Sequence, residues 1–231
     1  MRAAVSGEGE QMALRIEAAG LSVSRGDMLI FSNLSLTLSA GQSMVFTGAN
    51  GAGKSTALRA LLGLAGKADG HAHFIGDDEN AVPLAFAAHY LAHQNAMKPE
   101  LTARENLAVW KRILGDFEGS AGLGPEEAAE AVGLEGVLDL PFAYLSAGQK
   151  RRIAFARLLV VYRPVWLLDE PTAALDKAAR ETVARLMNRH LGDGGIIIAA
   201  THEPLGLEAA EAMEFTGPTR LVADPFMAEA F

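Results

Sequence analysis

Nine consecutive residues, Gly48, Ala49, Asn50, Gly51, Ala52, Gly53, Lys54, Ser55 and Thr56, carry the strongest chemical signal in the sequence. Glycines let the backbone curl so that successive N–H groups point at one anion, and a helix opening at the end of the run adds its positive dipole end. A lysine at that place neutralises the outer phosphates of a nucleoside triphosphate, the adjoining serine hydroxyl reaches a divalent cation, and Thr56 serves helix capping and phosphate contact. The spacing is that of a phosphate-binding P-loop. A second group, Val165-Trp-Leu-Leu-Asp169-Glu170, is an apolar run closed by two adjacent acids. Such a strand delivers Asp169 toward a cation, through water, and Glu170 toward a water molecule that attacks a phosphate. Apolar strands often end in an acid at a solvated loop, so the pair takes its meaning from the P-loop.

For these groups to meet, the strands carrying them must lie side by side with their carboxyl ends together. The runs Met44 to Thr47, Tyr90 to Ala92, Val165 to Leu168 and Ile196 to Ala200 are short and strongly apolar, as strands buried on both faces of a parallel sheet are. Leu34, Leu36 and Leu38 instead alternate with polar residues, the mark of a half-buried strand. Ser55 to Leu64 and Lys177 to Leu191 have the length and period of crossover helices, which predicts an α/β core with ligands at the strand carboxyl ends. From about Asn95 the pattern turns to helices alone. Thr102-Ala-Arg-Glu105 is a capping box opening a helix to about Leu114, Pro125 opens another ending near Gly133, and Gly115 to Gly124 reads as a loop. This predicts a helical subdomain, residues 95–160 approximately, inserted in the sheet.

At 231 residues with 50% apolar content, the chain can bury the core of one domain. A formal charge of -8 argues against a nucleic-acid partner, and the lack of cysteine excludes disulfides and thiolate metal sites. Residues 1–12 read as a mobile lead-in to a single domain spanning 13–231. Nowhere do about eighteen apolar residues run uninterrupted, so no spanning helix is expected.

Leu145-Ser146-Ala147-Gly148-Gln149 stands just upstream of the acidic strand. Ser146 is a good N-cap, Gly148 leaves backbone uncovered, and the following helix points its positive end outward, a surface suited to phosphate. The pentapeptide resembles the LSGGQ signature of the ABC ATPases, with Ala147 in place of the first glycine. Other elements follow in that family's order. Gln94 matches the Q-loop glutamine, which senses Mg²⁺ and touches the membrane partner; Ala174-Leu175-Asp176 matches the D-loop, with Ala174 where serine is usual; His202 matches the switch histidine at the γ phosphate. The resemblance, over residues 14–215, implies a P-loop NTPase core of the ABC ATPase type with an antiparallel β subdomain and an inserted α-helical subdomain. It also implies ATP and Mg²⁺ as ligands, with Ser55, Gln94 and Asp169 at the metal and Glu170, Gln94 and His202 at the chemistry. A head-to-tail homodimer closes Ser146, Gly148, Gln149 and Asp176 of one copy over ATP in the P-loop of the other, and integral-membrane permease subunits dock at the cytoplasmic face of the cell membrane. Adenine usually stacks on an aromatic residue about two dozen positions before the P-loop, where this sequence has Arg25. A planar guanidinium can serve. Phe31 is the rival platform, and Arg25 solvated in a turn is the third reading.

The run from Tyr90 through His93-Gln94 to Glu105-Asn106-Leu107 resembles, more narrowly, the ATPases of the cytochrome c maturation system, the haem exporters. This implies haem as cargo, either exported or released to a carrier, and held by the membrane partners. His71, His73, His89 and His93 are accordingly read as structural, His71 and His73 at a solvated strand edge, and Lys150-Arg151-Arg152 as a solvated helix face, with contact to nucleotide or partner as its other reading. A single P-loop, and only residues 95–145 between Gln94 and Ser146, leave no room for the second nucleotide domain or long coiled coil of soluble ABC machines.

Overall fold

The computed structural model describes residues 14–66, 68–117 and 120–220, so the lead-in expected over residues 1–12 lies outside the described residues. The chain runs β1 (Arg15–Arg25), β2 (Met28–Ser39), β3 (Ser43–Thr47), α1 (Lys54–Leu61), β4 (Ala68–Ile75), β5 (Ala81–Pro83), α2 (Leu84–Ala87) and β6 (Ala88–Leu91). It continues through α3 (Ala103–Leu114), α4 (Pro125–Ala131), α5 (Ala147–Val160), β7 (Val165–Asp169), α6 (Lys177–Gly192), β8 (Ile196–Ala200), β9 (Glu211–Glu214) and β10 (Thr219–Arg220).

Two five-stranded sheets divide the work. One has the order β10-β2-β1-β4-β5 with antiparallel pairs, and the other has the order β6-β7-β8-β3-β9 with parallel pairs throughout. The sequence pattern explains the difference. Every residue of β7 and β8 is buried, because the helices that return the chain cover both faces. In β2 burial alternates at Leu34, Leu36 and Leu38, which face the core while their neighbours face water. Both sheets contribute to one cluster, in which Ile16, Leu38, Phe46, Leu58, Phe74, Leu167 and Ile198 pack together. Each such side chain contributes about 1.5–3 kcal/mol by leaving water.

The second cluster joins the other face of the parallel sheet to the helices. Leu107 of α3, Ala128 and Ala129 of α4, and Ile153 and Phe155 of α5 pack with Trp166, Leu168 and Ile197. Local chemistry sets the helix ends. The Thr102 hydroxyl accepts from the Glu105 N–H, and Glu105 reaches back to the Thr102 N–H, closing the capping box that starts α3. Helix α1 ends at Leu61, three residues short of the expected Leu64, because the Leu62 and Gly63 N–H groups turn back to Arg59 and Ala60 and Gly63 takes φ 70°. Among the described residues no helix is long and apolar enough to cross a membrane.

Candidate active site

The P-loop leaves β3 and enters α1, and its backbone requires glycine. Gly48, Gly51 and Gly53 have φ of 123°, 80° and 107°, which a side chain would strain. At Gly48 there is also no room, since a Cβ would collide with the Phe215 carbonyl oxygen. Lys54 is buried, and its Nζ donates to the Gly48 oxygen at 2.7 Å and the Ala49 oxygen at 3.0 Å. The loop thereby holds a positive charge at its own centre. Thr56 lies on the first turn of α1 and lines a cavity with Val23, Arg25, Ile30 and Arg59. Arg25 is exposed there, at the end of β1. Phe31 instead meets the Phe215 ring edge-on, with centroids 5.9 Å apart and planes at 84°.

Across from the loop, the carboxyl end of β7 delivers the acids, and that of β8 delivers groups that hold one of them. The Ser55 hydroxyl donates to Asp169 Oδ1 at 2.8 Å, so P-loop and acidic strand meet directly. Tyr90 of β6 reaches Asp169 Oδ2 from the other side, at 3.4 Å. Burial, and then the Asp169 charge, push the Tyr90 phenol up to about 12, so it stays a donor. Glu170 sits in the left-handed region at φ 46°, a conformation that costs a non-glycine residue about 1–2 kcal/mol. Its N–H donates to the Ala200 oxygen at 2.8 Å, which ties the turn to β8. The Thr201 hydroxyl donates to Glu170 Oε2 at 3.0 Å, and His202 Nδ1 faces Oε1 at 3.1 Å. Thr201 itself accepts from the Glu203 N–H at 3.0 Å. A carboxylate gripped on both oxygens has one orientation, as a general base requires.

The remaining expected residues are not all gathered at this point. Ser146 caps α5: its hydroxyl accepts from the Gln149 N–H at 3.2 Å, and Gln149 Oε1 accepts from the Ser146 N–H at 2.9 Å. Gly148 packs under the D-loop, where a Cβ would stand 3.1 Å from the Ala174 oxygen. Asp176 caps α6, accepting from the Ala179 N–H at 2.8 Å. No hydrogen bond among the described residues joins the 146–149 segment to the P-loop. Gln94 is exposed just beyond β6.

One expectation is overturned. Lys150-Arg151-Arg152 is not a solvated face. Arg151 is only 4% exposed and donates to the Pro171, Asp169 and Glu170 carbonyls and, on its other side, to the Ala92 carbonyl and Asn95 Oδ1. Arg152 donates to the Val132 and Gly133 carbonyls, and Lys150 to that of Ala143. Charge alone misled, because α5 packs on both α4 and the end of β7, where carbonyls leaving strands and helices need donors. The structural reading of His89 agrees with its surroundings. It is buried, its Nε2 lies 2.7 Å from the Val161 oxygen, and burial depresses its pKa to about 3. Tyr90 and Thr201 escaped the sequence reading, although Thr201 adjoins His202 at a strand end, a place that could have raised it.

Comparison with known proteins agrees with this arrangement. A family model described as ABC transporter matches residues 31–173. The Cytochrome c biogenesis ATP-binding export protein CcmA of Agrobacterium fabrum is 54% identical over 203 residues, 87% of this chain and 95% of the relative. That of Rhizobium meliloti is 52% identical over 204 residues, 88% of this chain and 99% of the relative. The solved ATP-binding cassette MJ0796, a dimer bound to ADP and Pi, superposes with a TM-score of 0.71 at 22% identity, covering 90% of this chain and 99% of that one. A P-loop facing two strand-end acids, in a chain so closely shared with these proteins, belongs to the ABC transporter family and binds ATP, and within that family it groups with the cytochrome c biogenesis ATP-binding export proteins.

Proposed function

We propose that this chain is the ATP-hydrolysing subunit of an ABC exporter of cytochrome c biogenesis whose cargo is haem, either exported or released from a membrane complex to a carrier. Hydrolysis is supported above all by Glu170, held between Thr201 and His202 one residue beyond the Asp169 carboxylate that meets Ser55. The cargo rests on the likeness to proteins named for cytochrome c biogenesis. The alternative is the ATPase of another ABC exporter with different cargo.

In this reading Lys54 exchanges the Gly48 and Ala49 carbonyls for the β and γ phosphate oxygens, while the N–H groups from Ala49 to Thr56 cradle them. The Ser55 hydroxyl and the Asp169 carboxylate, with Gln94 nearby in sequence to the β6 exit, are hard oxygen donors that suit Mg²⁺, which when bound would offset phosphate charge. Glu170 takes a proton from the attacking water, Thr201 and His202 aim its lone pairs, and His202 also faces the γ phosphate. Arg25 lies against adenine, since it shares a cavity with Thr56 whereas Phe31 is committed to Phe215. Ser146, Gly148, Gln149 and Asp176 have no partner in their own P-loop, which supports a head-to-tail dimer in which they close over the nucleotide of a second copy. Integral-membrane subunits hold the haem, and the chain works at the cytoplasmic face of the cell membrane.

Glu170→Gln keeps the size and one acceptor oxygen but removes the base. ATP binding should persist, turnover should fall by about 10²–10⁴-fold, and ATP should stabilise a dimer seen by light scattering. Normal turnover in this variant would remove Glu170 from the mechanism. Purification of the chain from membranes with a multi-spanning partner, identified by mass spectrometry, tests the exporter reading.

A further inference from the structure

Helix α5 carries two buried arginines that do different things. Arg151, on its second turn, directs Nη2 to the Asp169 oxygen at 2.6 Å and the Glu170 oxygen at 2.7 Å, and Nε to the Pro171 oxygen at 3.2 Å. Its Nη1 donates to the Ala92 oxygen at 2.7 Å and to Asn95 Oδ1 at 3.3 Å. All five acceptors are neutral, so the guanidinium is fixed by the directions of its N–H groups and not by a carboxylate it might follow. They belong to two strand exits, the end of β7 that bears the acids and the end of β6 that leads into Gln94. One of them is the carbonyl of Glu170, the residue held in the left-handed region. Burial draws the Arg151 pKa down to about 10, while the Asp169 and Glu170 charges act to raise it, so the side chain keeps its charge at neutral pH.

We propose that Arg151 is a positioning residue for hydrolysis, which locks the helix opened by Ser146 to the backbone of Asp169, Glu170 and the Gln94 segment, so that movement of that helix is passed to the Glu170 carboxylate. This rests on the ATPase reading above. The guanidinium is rigid and planar, and its two sides address the two strand exits at once. A displacement of α5 relative to the sheet therefore cannot leave the Glu170 turn unchanged while these bonds persist. Dimer closure acts on α5 first, because Ser146 and Gly148 stand at its N-terminus, and the geometry conveys that closure to the base.

Arg157 supplies the internal control. It lies on the same helix, is similarly hidden at 6% exposure, donates to the Tyr90 oxygen at 2.6 Å and covers the Trp110 ring at 4.7 Å, but among the described residues it has no hydrogen bond to Asp169, Glu170 or Pro171. Loss of its bonds loosens α5 without releasing Glu170.

The test is steady-state ATPase kinetics of the full chain, with kcat expressed per ATP-binding site titrated so that unfolded protein does not count. A lysine ammonium radiates three donors from a point and cannot span both exits. Arg151→Lys should lower kcat by roughly 10–100-fold, as a misplacement of catalytic groups does, with the KM for ATP within about twofold of the parent. Arg157→Lys should lower the melting temperature and leave kcat per site within about threefold of the parent. Parental kcat in Arg151→Lys, or an equal loss in both variants, overturns the inference. Should Arg151→Lys not fold, Arg151→Gln is read in the same way, and a chain that folds with neither overturns the positioning role in favour of a purely structural one. A parent chain without ATP turnover overturns the ATPase reading and the inference with it, whereas turnover unaffected by Arg151→Lys overturns the inference alone.

Discussion

The two sheets contribute unequally to the chemistry. The parallel sheet is buried through its centre and presents nearly every group of the site at its carboxyl edge: the P-loop after β3, Tyr90 in β6, Asp169 and Glu170 after β7, and Thr201 and His202 after β8. The antiparallel sheet offers Arg25 alone. Its strand β4 begins with four exposed residues, and β1 shifts register against β2 between Ala18 and Leu21. The difference is one of direction. Parallel strands end together, so residues far apart in sequence arrive at one edge, whereas antiparallel strands send alternate ends to opposite sides and can bring few groups to one place.

If this division holds, damage to the parallel sheet should be costly and damage to the antiparallel edge slight. Ile198 is wholly buried in the middle of β8, and Ile198→Ala should cost about 2–5 kcal/mol in urea unfolding. His71→Ala on exposed β4 should stay within about 0.5 kcal/mol of the parent. Equal losses would erase the distinction. Acid should probe the same region. His190 stacks on Trp166 of β7 with ring centroids 4.0 Å apart, and burial depresses its pKa to about 4, beside the value of about 3 at His89. Below pH 6.5 the unfolded chain takes up protons that these folded sites refuse, so their stability contribution is complete above pH 6.5 and is lost progressively as pH falls toward 4. Urea midpoints measured from pH 7.5 downward should show this slope, and His190→Gln should flatten it. A slope unaltered in that variant would assign the acid sensitivity to other groups.

Capping is worth less. Ser146→Ala removes a bond to the Gln149 N–H and should cost about 1 kcal/mol in stability, with a larger loss of ATP-induced dimerisation if the serine also meets nucleotide. At the nucleotide end of the antiparallel sheet the expected effect is of similar size and falls on affinity. Arg25→Ala should weaken ATP binding several-fold, about 1 kcal/mol, and Arg25→Tyr should largely restore it. Parental affinity in Arg25→Ala, with loss in a well-folded Phe31→Ala, would move the adenine platform to Phe31.

Legibility followed the same division. The runs 165–168 and 196–200 can be read from sequence because strands buried on both faces have no polar residue there to confuse the pattern. The P-loop is legible because bending a backbone around phosphate demands glycine at fixed spacing. Arg151 was hidden for the opposite reason. Three adjacent basic residues look solvated, and only the packing of α5 onto the exits of β6 and β7 shows that one of them serves carbonyls inside. Tyr90 within β6 and Thr201 just past β8 carry single hydroxyls at the ends of apolar runs, where sequence records no direction. The four-residue helix α2 and the register shift in β1 are likewise too short to leave a period.

Gly48 abuts the carbonyl of Phe215, and the Phe215 N–H donates to the Thr47 oxygen at 2.9 Å, so one wall of the nucleotide cradle comes from a segment far downstream of it in sequence. During synthesis the cradle's motif leaves the ribosome before its wall does. A nascent protein thus carries the whole P-loop without a finished pocket until Phe215 has been made, and competence to bind ATP arrives no earlier. A chain released at Leu205 should keep the whole motif and yet fail to retain nucleotide in equilibrium dialysis, which would make ATP affinity a mark that synthesis has passed Phe215.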